Sequence, residues 1–197
     1  TPTFTIHNNG GSLFAALTIG SGNLSAPMSE NNKNDALYVV YDKDVTRRNL
    51  SVMTDSELST VDVSTSGTGA KQLVKNTSGN TATSLDFGGW YYPLASKKRV
   101  LNDNVAIDND LYVSIFDANV EIEDVNCYGG VRGESKANQF CLPYGECTAT
   151  VGGSTTTQDR PKEFSLGKGN IGISFGGKDK KRGLVLNVPT SETLKSY

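Results

Sequence analysis

Short runs of alternating apolar and polar residues recur along this chain and predict β-strands. The clearest run is residues 111–116, where Leu111, Val113 and Ile115 fall on one face. A period of two residues is that of a strand whose two faces have different surroundings. Similar runs at 3–7 and 13–19 predict an opening strand pair, and no long window has the spacing of an amphipathic helix. The pattern therefore predicts an all-β fold.

The stretch from residue 88 to residue 116 organises the predicted fold. It contains the only tryptophan, Trp90, followed by Tyr91 and Tyr92. Further along, Asp108 and Asn109 separate two strand-like runs, and both residue types tolerate the positive backbone angles of a tight turn. We therefore predict a hairpin here. The predicted structural core of the chain is Trp90, Tyr91, Leu111, Val113 and Ile115.

Length and charge narrow the class of protein. A chain of 197 residues is long enough for one sizeable core, so we expect a single all-β domain over residues 1–197. Nineteen Lys and Arg residues stand against 21 Asp and Glu, which argues against a nucleic-acid surface. No apolar run approaches the roughly 18 residues of a membrane helix. These features predict a mature secreted protein or an excised fragment.

Residues 59–84 are rich in Ser, Thr, Gly and Asn and contain few large apolar residues. Such a composition buries too little apolar surface to offset the loss of chain entropy on folding. We expect a mobile polar loop over 59–84, in a place where a scaffold can display recognition surfaces.

The three cysteines, Cys127, Cys141 and Cys147, lie close together in the sequence. A metal site is disfavoured because no Cys-x-x-Cys occurs and the chain has one histidine, His7. A disulfide in an oxidising compartment fits better. Pro143 and Gly145 favour a chain reversal, so we predict the pair Cys141 and Cys147, with Cys127 free or in place of one of them.

No arrangement of residues in this sequence indicates catalysis. There is no Gly-x-Ser-x-Gly elbow, no zinc ligand set and no histidine near a suitable carboxylate. The glycine pattern at 167–172 resembles a dinucleotide fingerprint, but a strand-like run follows it where that fingerprint needs a helix. A glycosidase needs only two carboxylates that can be far apart in sequence, and that alternative stays open. We expect a non-enzymatic binding or assembly role without a cofactor.

Two segments of the chain carry aromatic strand motifs that occur together in one known protein family. The first is LYVVYD at 37–42 followed by VTRRNL at 45–50. The second begins with GGWYYPL at 88–94, continues through the strands at 99–100 and 111–113, and ends with CYGG at 127–130. These segments resemble the C-terminal domain of the PilC/PilY family, which comprises adhesins and assembly factors of bacterial type IV pili. The matched segments lie between residues 37 and 130, about half of the chain.

The resemblance implies a modified β-propeller or propeller-derived antiparallel sheets, with a β-sandwich as the alternative fold. It also implies a C-terminal fragment of a larger pilus protein that acts in pilus assembly, host-cell adherence and twitching motility. The implied partners are pilus subunits, minor pilins and a host-cell receptor, at the pilus tip or outer membrane. The family's calcium loop has no match here, so calcium would belong to the parent protein.

The alternative function comes from another class of protein. A secreted carbohydrate-binding β-sandwich, or an accessory domain of a glycosidase, would also be rich in short strands and polar loops. In that case we expect a sugar-binding groove lined by Tyr91, Tyr92 or Tyr112.

Overall fold

The computed structural model describes residues 1–29, 35–42, 44–45, 71–74, 87–119, 132–145, 147–151, 154–158, 162–178 and 181–186. Every regular element in these ranges is a β-strand, and none of them contains a helix able to cross a membrane. The strands are β1 (Thr3–Asn9), β2 (Ser12–Gly20), β3 (Ala36–Asp42), β4 (Lys71–Val74), β5 (Phe87–Pro93), β6 (Lys98–Val100), β7 (Val105–Ile107), β8 (Asp110–Asp117), β9 (Glu134–Cys141), β10 (Cys147–Val151), β11 (Ser154–Gln158), β12 (Lys162–Lys168), β13 (Ile173–Lys178) and β14 (Lys181–Leu186). The predicted all-β class is confirmed, in antiparallel sheets that do not close on themselves.

The first five-stranded sheet, here called sheet A, has the spatial order β1-β2-β3-β5-β4. The predicted pairing of the two opening strands is confirmed, with Phe4 opposite Leu17. Strand β5 pairs with β3 and places Trp90 opposite Val39. A side chain at Gly89 would put its Cβ only 2.0 Å from the Val39 carbonyl oxygen, at a φ of +135°. Glycine therefore permits the close approach of these two strands.

The second five-stranded sheet, sheet B, has the order β12-β9-β8-β6, and β7 also pairs with β8. The predicted hairpin is confirmed, because β7 and β8 pair around a turn in which Asp108 and Asn109 have φ values of 48° and 70°. Two separate hairpins, β10 with β11 and β13 with β14, complete the described strands.

Sheets A and B pack against each other around one hydrophobic core. The apolar alternation on β8 directs Leu111, Val113 and Ile115 toward β3 and β5 of sheet A, where Trp90 is fully buried. The buried members of this core are Phe14, Ala16, Leu37, Val39, Tyr41, Trp90, Leu94, Val100, Leu111, Val113, Ile115, Phe140 and Leu142. Removal of this apolar surface from water is the main force that holds the sheets together.

The outer faces of the two sheets differ. On sheet B, the outer face packs under Ile171 and Ile173 in a second cluster that includes Ala137 and Leu166. The Ser135 hydroxyl fixes this cover by donating to the Gly169 carbonyl at 2.6 Å and accepting from the Ile171 N–H at 3.0 Å. On sheet A, the outer face of β1 and β2 is exposed although it is apolar; it carries Phe4, Ile6, Leu13, Leu17 and Ile19.

Tyr91 is the exception among the predicted core residues. It alternates with Trp90 along β5, so it lies on the outer face of sheet A, half-buried and stacked on Tyr38 with ring centroids 6.0 Å apart. Tyr92 points back inward and packs against the shared core. The two-residue period requires this outcome, because neighbouring residues of a strand face opposite sides.

Other predictions fall partly or wholly outside the described residues. The polar loop at 59–84 contains β4, which pairs with β5, and its remaining residues lie outside the described ranges. The glycine pattern at 167–172 leads into strand β13, which agrees with the strand predicted to follow it.

Candidate functional site: a cleft between the sheets

A cleft of about 420 Å³ opens where the end of β5 and the turn after it face the inner surface of sheet B. The sheet A side supplies Tyr92, Pro93, Leu94 and Ala95. Its volume is within the usual range for sites that hold a small ligand. The cleft is therefore the candidate functional site.

The pattern of β8 explains why this part of sheet B is polar. Leu111, Val113 and Ile115 face the core, and the next residue on the same face is Asp117. On β9, Lys136 lies opposite Ile115, and Asn138 lies opposite Val113. The same face of the sheet thus changes from apolar under sheet A to charged and polar at the cleft.

Two ion pairs lie on the sheet B side of the cleft. Lys98 Nζ is 3.4 Å from Asp117 Oδ2, and the Lys136 Nζ is 3.8 Å from Glu163 Oε2. Each pair joins neighbouring strands, β6 to β8 and β9 to β12, and the four formal charges cancel. Because these side chains are partly exposed, the pairs contribute little to stability, and their donors and acceptors remain accessible to a ligand.

Asn138 supplies a buried amide to the cleft. Its side chain is 2% exposed, and Nδ2 donates to the Lys136 carbonyl at 3.1 Å. Buried polar atoms normally have a hydrogen-bond partner. Asn138 is one of the residues that line the cleft, so its Oδ1 is a candidate acceptor for a ligand hydroxyl.

Tyr92 gives the cleft an aromatic wall with a fixed orientation. Its ring packs edge-on against Phe140, with centroids 5.1 Å apart and an interplanar angle of 70°. Leu94 and Ile115, both buried, add apolar surface beside it. An aromatic face next to charged and amide groups can bind a ligand that has both C–H surface and hydroxyl groups.

The two carboxylates of the cleft, Asp117 and Glu163, are each paired with a lysine. No group of three or more His, Cys, Asp or Glu residues that could hold a metal ion occurs within the described ranges.

The predicted groove tyrosines are divided among three places. Tyr92 lines the cleft, Tyr91 stacks on Tyr38 outside it, and Tyr112 packs against the second cluster on the far side of sheet B. Sequence reasoning missed Lys98, Lys136, Asn138 and Glu163 as site residues. The signal available in the sequence was Asp117, a charged residue at the next position on the apolar face of β8.

A second feature joins the aromatic strands to the loop after β9. Trp90 Nε1 donates to the Pro143 carbonyl at 2.6 Å, and the Tyr41 hydroxyl donates to the same oxygen at 2.8 Å. Burial raises the pKa of Tyr41, and the nearby Tyr144 adds to the shift, so the hydroxyl stays a donor. This three-residue arrangement is here called the Pro143 node.

Cys141 lies at the end of β9, directly before this loop, and takes part in a disulfide. The side chains of Cys127 and Cys147 lie outside the described ones. The pairing of Cys141 with Cys147 therefore stays a prediction.

Comparisons with protein-family models, curated proteins and solved structures found no match to this chain.

Proposed function

We propose that this chain is a non-catalytic domain of a type IV pilus biogenesis and adhesion protein. In this proposal it acts at the pilus tip or the bacterial outer surface, where it contacts pilus subunits or minor pilins and a host-cell receptor. The resemblance of two sequence segments to the PilC/PilY family motivates the proposal. The observation that carries it is the way in which the fold brings those two segments together.

Each segment contributes one strand to sheet A, and these two strands are neighbours that both place aromatic residues in the core. Residues 37–42 form β3 and residues 88–93 lie in β5, and these strands pair directly. Tyr41 from the first segment and Trp90 from the second donate to one carbonyl at the Pro143 node. The aromatic residues on which the resemblance rests thus stabilise each other, as expected if both segments belong to one inherited fold.

The strand topology supports propeller-type sheets over a Greek-key sandwich. All strands of sheet A come from residues 3–93, and all strands of sheet B come from residues 98–168. In a Greek-key sandwich, connections pass between the two sheets and mix their strands. Propeller blades are consecutive antiparallel sheets that pack face to face. We infer that sheets A and B are two neighbouring units of this kind.

The exposed apolar face of sheet A supports the same interpretation. The apolar residues on the outer face of β1 and β2 are exposed to solvent, whereas the outer face of sheet B is covered. A contiguous exposed apolar patch marks a surface that another element covers. In the parent protein, we infer that a further antiparallel sheet of the same kind packs on this face.

Deletion of the region in the bacterium that encodes it tests the pilus assignment. We expect fewer surface pili, weaker twitching motility and weaker adherence to host cells, with the rest of the parent protein still produced. Trp90→Ala should reproduce the phenotype through loss of the fold. Normal piliation, normal twitching and unchanged adherence after deletion of the whole region would contradict the proposal.

A further inference from the structure

The cleft between the sheets combines three features that select one class of ligand. It has an aromatic and aliphatic wall, the buried amide of Asn138, and two lysine-carboxylate pairs. We propose that it binds a neutral saccharide, such as the terminal sugar of an uncharged glycan. The proposal rests on the proposed adhesion function only for its biological setting.

The balance of charge in the cleft argues for a neutral ligand. Lys98 is paired with Asp117, and Lys136 is paired with Glu163, so an anionic or cationic group would have to displace one partner of an existing pair. That partner would then face the bound group with the same sign of charge, which is unfavourable. A hydroxyl group has no such conflict, because it can donate to a carboxylate and accept from an ammonium group at once.

The walls of the cleft match the two kinds of surface on a sugar ring. Tyr92, held edge-on against Phe140, presents aromatic surface to the C–H groups of the ring. Across the cleft, Asn138 offers its Oδ1 to a hydroxyl donor. Glu163 lies opposite Asn138 on the neighbouring strand, so its carboxylate can accept a second hydroxyl. Convergent hydrogen bonds beside an apolar face fix the orientation of a ligand.

The first experiment is an array of neutral and acidic glycans probed with the purified chain. We expect binding to a subset of neutral glycans, and competition by the best-bound oligosaccharide in free form. Titration calorimetry with that oligosaccharide should give an affinity that is nearly independent of salt, because screening acts on charged ligands. Exclusive binding to sialylated or sulfated glycans, or to none of the array, would overturn the proposal.

Two conservative variants locate the site. Glu163→Gln and Lys136→Met change partly exposed side chains and should leave the melting temperature unaltered. Each should weaken binding of the oligosaccharide by about tenfold, the usual cost of losing one hydrogen bond to a charged group. Glu134→Gln is the matched control. Glu134 shares the same face of sheet B, bonds Ser165 at 3.1 Å and does not line the cleft.

The outcomes separate this inference from the pilus assignment. If both variants bind the oligosaccharide as tightly as the Glu134→Gln control does, the sugar binds elsewhere and the cleft assignment is overturned. Binding that is lost in the two variants supports the cleft even if deletion of the region leaves pili and adherence unchanged. Conversely, a pilus phenotype with no glycan binding would support the assignment to pili and reject the saccharide site.

Discussion

At the scale of single residues, Trp90 is the largest fully buried side chain among the described residues. It is fully buried between the sheets, tilts against Phe140 with ring centroids 5.6 Å apart, and donates to the Pro143 carbonyl. We predict that Trp90→Ala lowers the free energy of unfolding by about 3 to 5 kcal/mol, through the lost contacts and the cavity left behind. Urea denaturation measures this. Tyr91→Ala is the control, and an equal loss in both variants would contradict the different placement of the two side chains.

His7 gives the chain a defined dependence on pH. It is buried on β1, where its ring contacts Phe14 and its Nε2 lies 2.9 Å from the Thr5 hydroxyl. Desolvation lowers the pKa of His7 below its usual value near 6.5. The unfolded chain therefore takes up a proton on this residue at a higher pH than the folded chain does. Stability from His7 is present above about pH 6.5 and is lost as the pH falls from there through the lower pKa of the folded chain.

The variant His7→Gln isolates this effect, because His7 is the one histidine of the sequence and all carboxylates are retained. We predict that the melting temperature of the parent chain falls more than that of the variant between about pH 7 and pH 5. Thermal unfolding followed by circular dichroism at several pH values measures the difference. Parallel curves for the two proteins would show that His7 titrates as it does in the unfolded chain.

At the scale of elements, Arg99 on β6 fixes the loop between β2 and β3. Its guanidinium is 1% exposed and donates to the carbonyls of Ala26, Pro27 and Ser29. Nε lies 3.3 Å from Asp35 Oδ2, in a geometry that makes an ion pair and not a hydrogen bond. Loop carbonyls without a strand partner are thus satisfied by one side chain from the other sheet.

Removal of this arginine should release the loop. We predict that Arg99→Ala lowers the free energy of unfolding by about 3 to 5 kcal/mol, since Asp35 loses its buried cationic partner and three loop carbonyls each lose a buried donor. Limited proteolysis should show faster cleavage within residues 23–29. Lys98→Ala is the control, because its ion pair with Asp117 is partly exposed and should cost about 1 kcal/mol or less. Cleavage of the loop at the parental rate in Arg99→Ala would disprove the clamp.

At the scale of the whole molecule, we expect the exposed apolar face of sheet A to mediate self-association. Phe4 and Ile6 are 56% and 57% exposed beside Leu17 on the neighbouring strand. We predict that the isolated chain binds the dye ANS and self-associates at high concentration, and that the double variant Phe4→Thr, Ile6→Thr does both less. Threonine is chosen because it suits strands.

Analytical ultracentrifugation measures the change in association, and the melting temperature checks that the fold is retained. Lys162→Thr is the control, because Lys162 is an exposed residue on the edge strand of sheet B. Unchanged association in the double variant would show that this face does not mediate self-association. It would also remove one argument for a covering sheet in the parent protein.

The strands and their turns could be read from the sequence because local rules decide them. The alternation in residues 111–116 and the Asp108-Asn109 turn predict β8 and its hairpin with β7 without knowledge of any other part of the chain. The same local rule places Trp90 and Tyr91 on opposite faces of their strand, but it does not reveal which of the two faces inward. Pairing with β3, which places Val39 opposite Trp90, decided that question.

The cleft could not be predicted from the sequence because its residues are far apart along the chain. Lys98, Asp117, Lys136, Asn138 and Glu163 come from four strands, and only the register among β6, β8, β9 and β12 brings them together. The Pro143 node depends in the same way on contacts between residues about 50 and 100 positions apart. The sequence by itself determined the all-β class, the hairpin and the apolar faces, because these follow from backbone preference and a period of two. Tertiary structure alone decided which faces are covered and where the polar groups converge, because sheet packing joins segments that are distant along the chain.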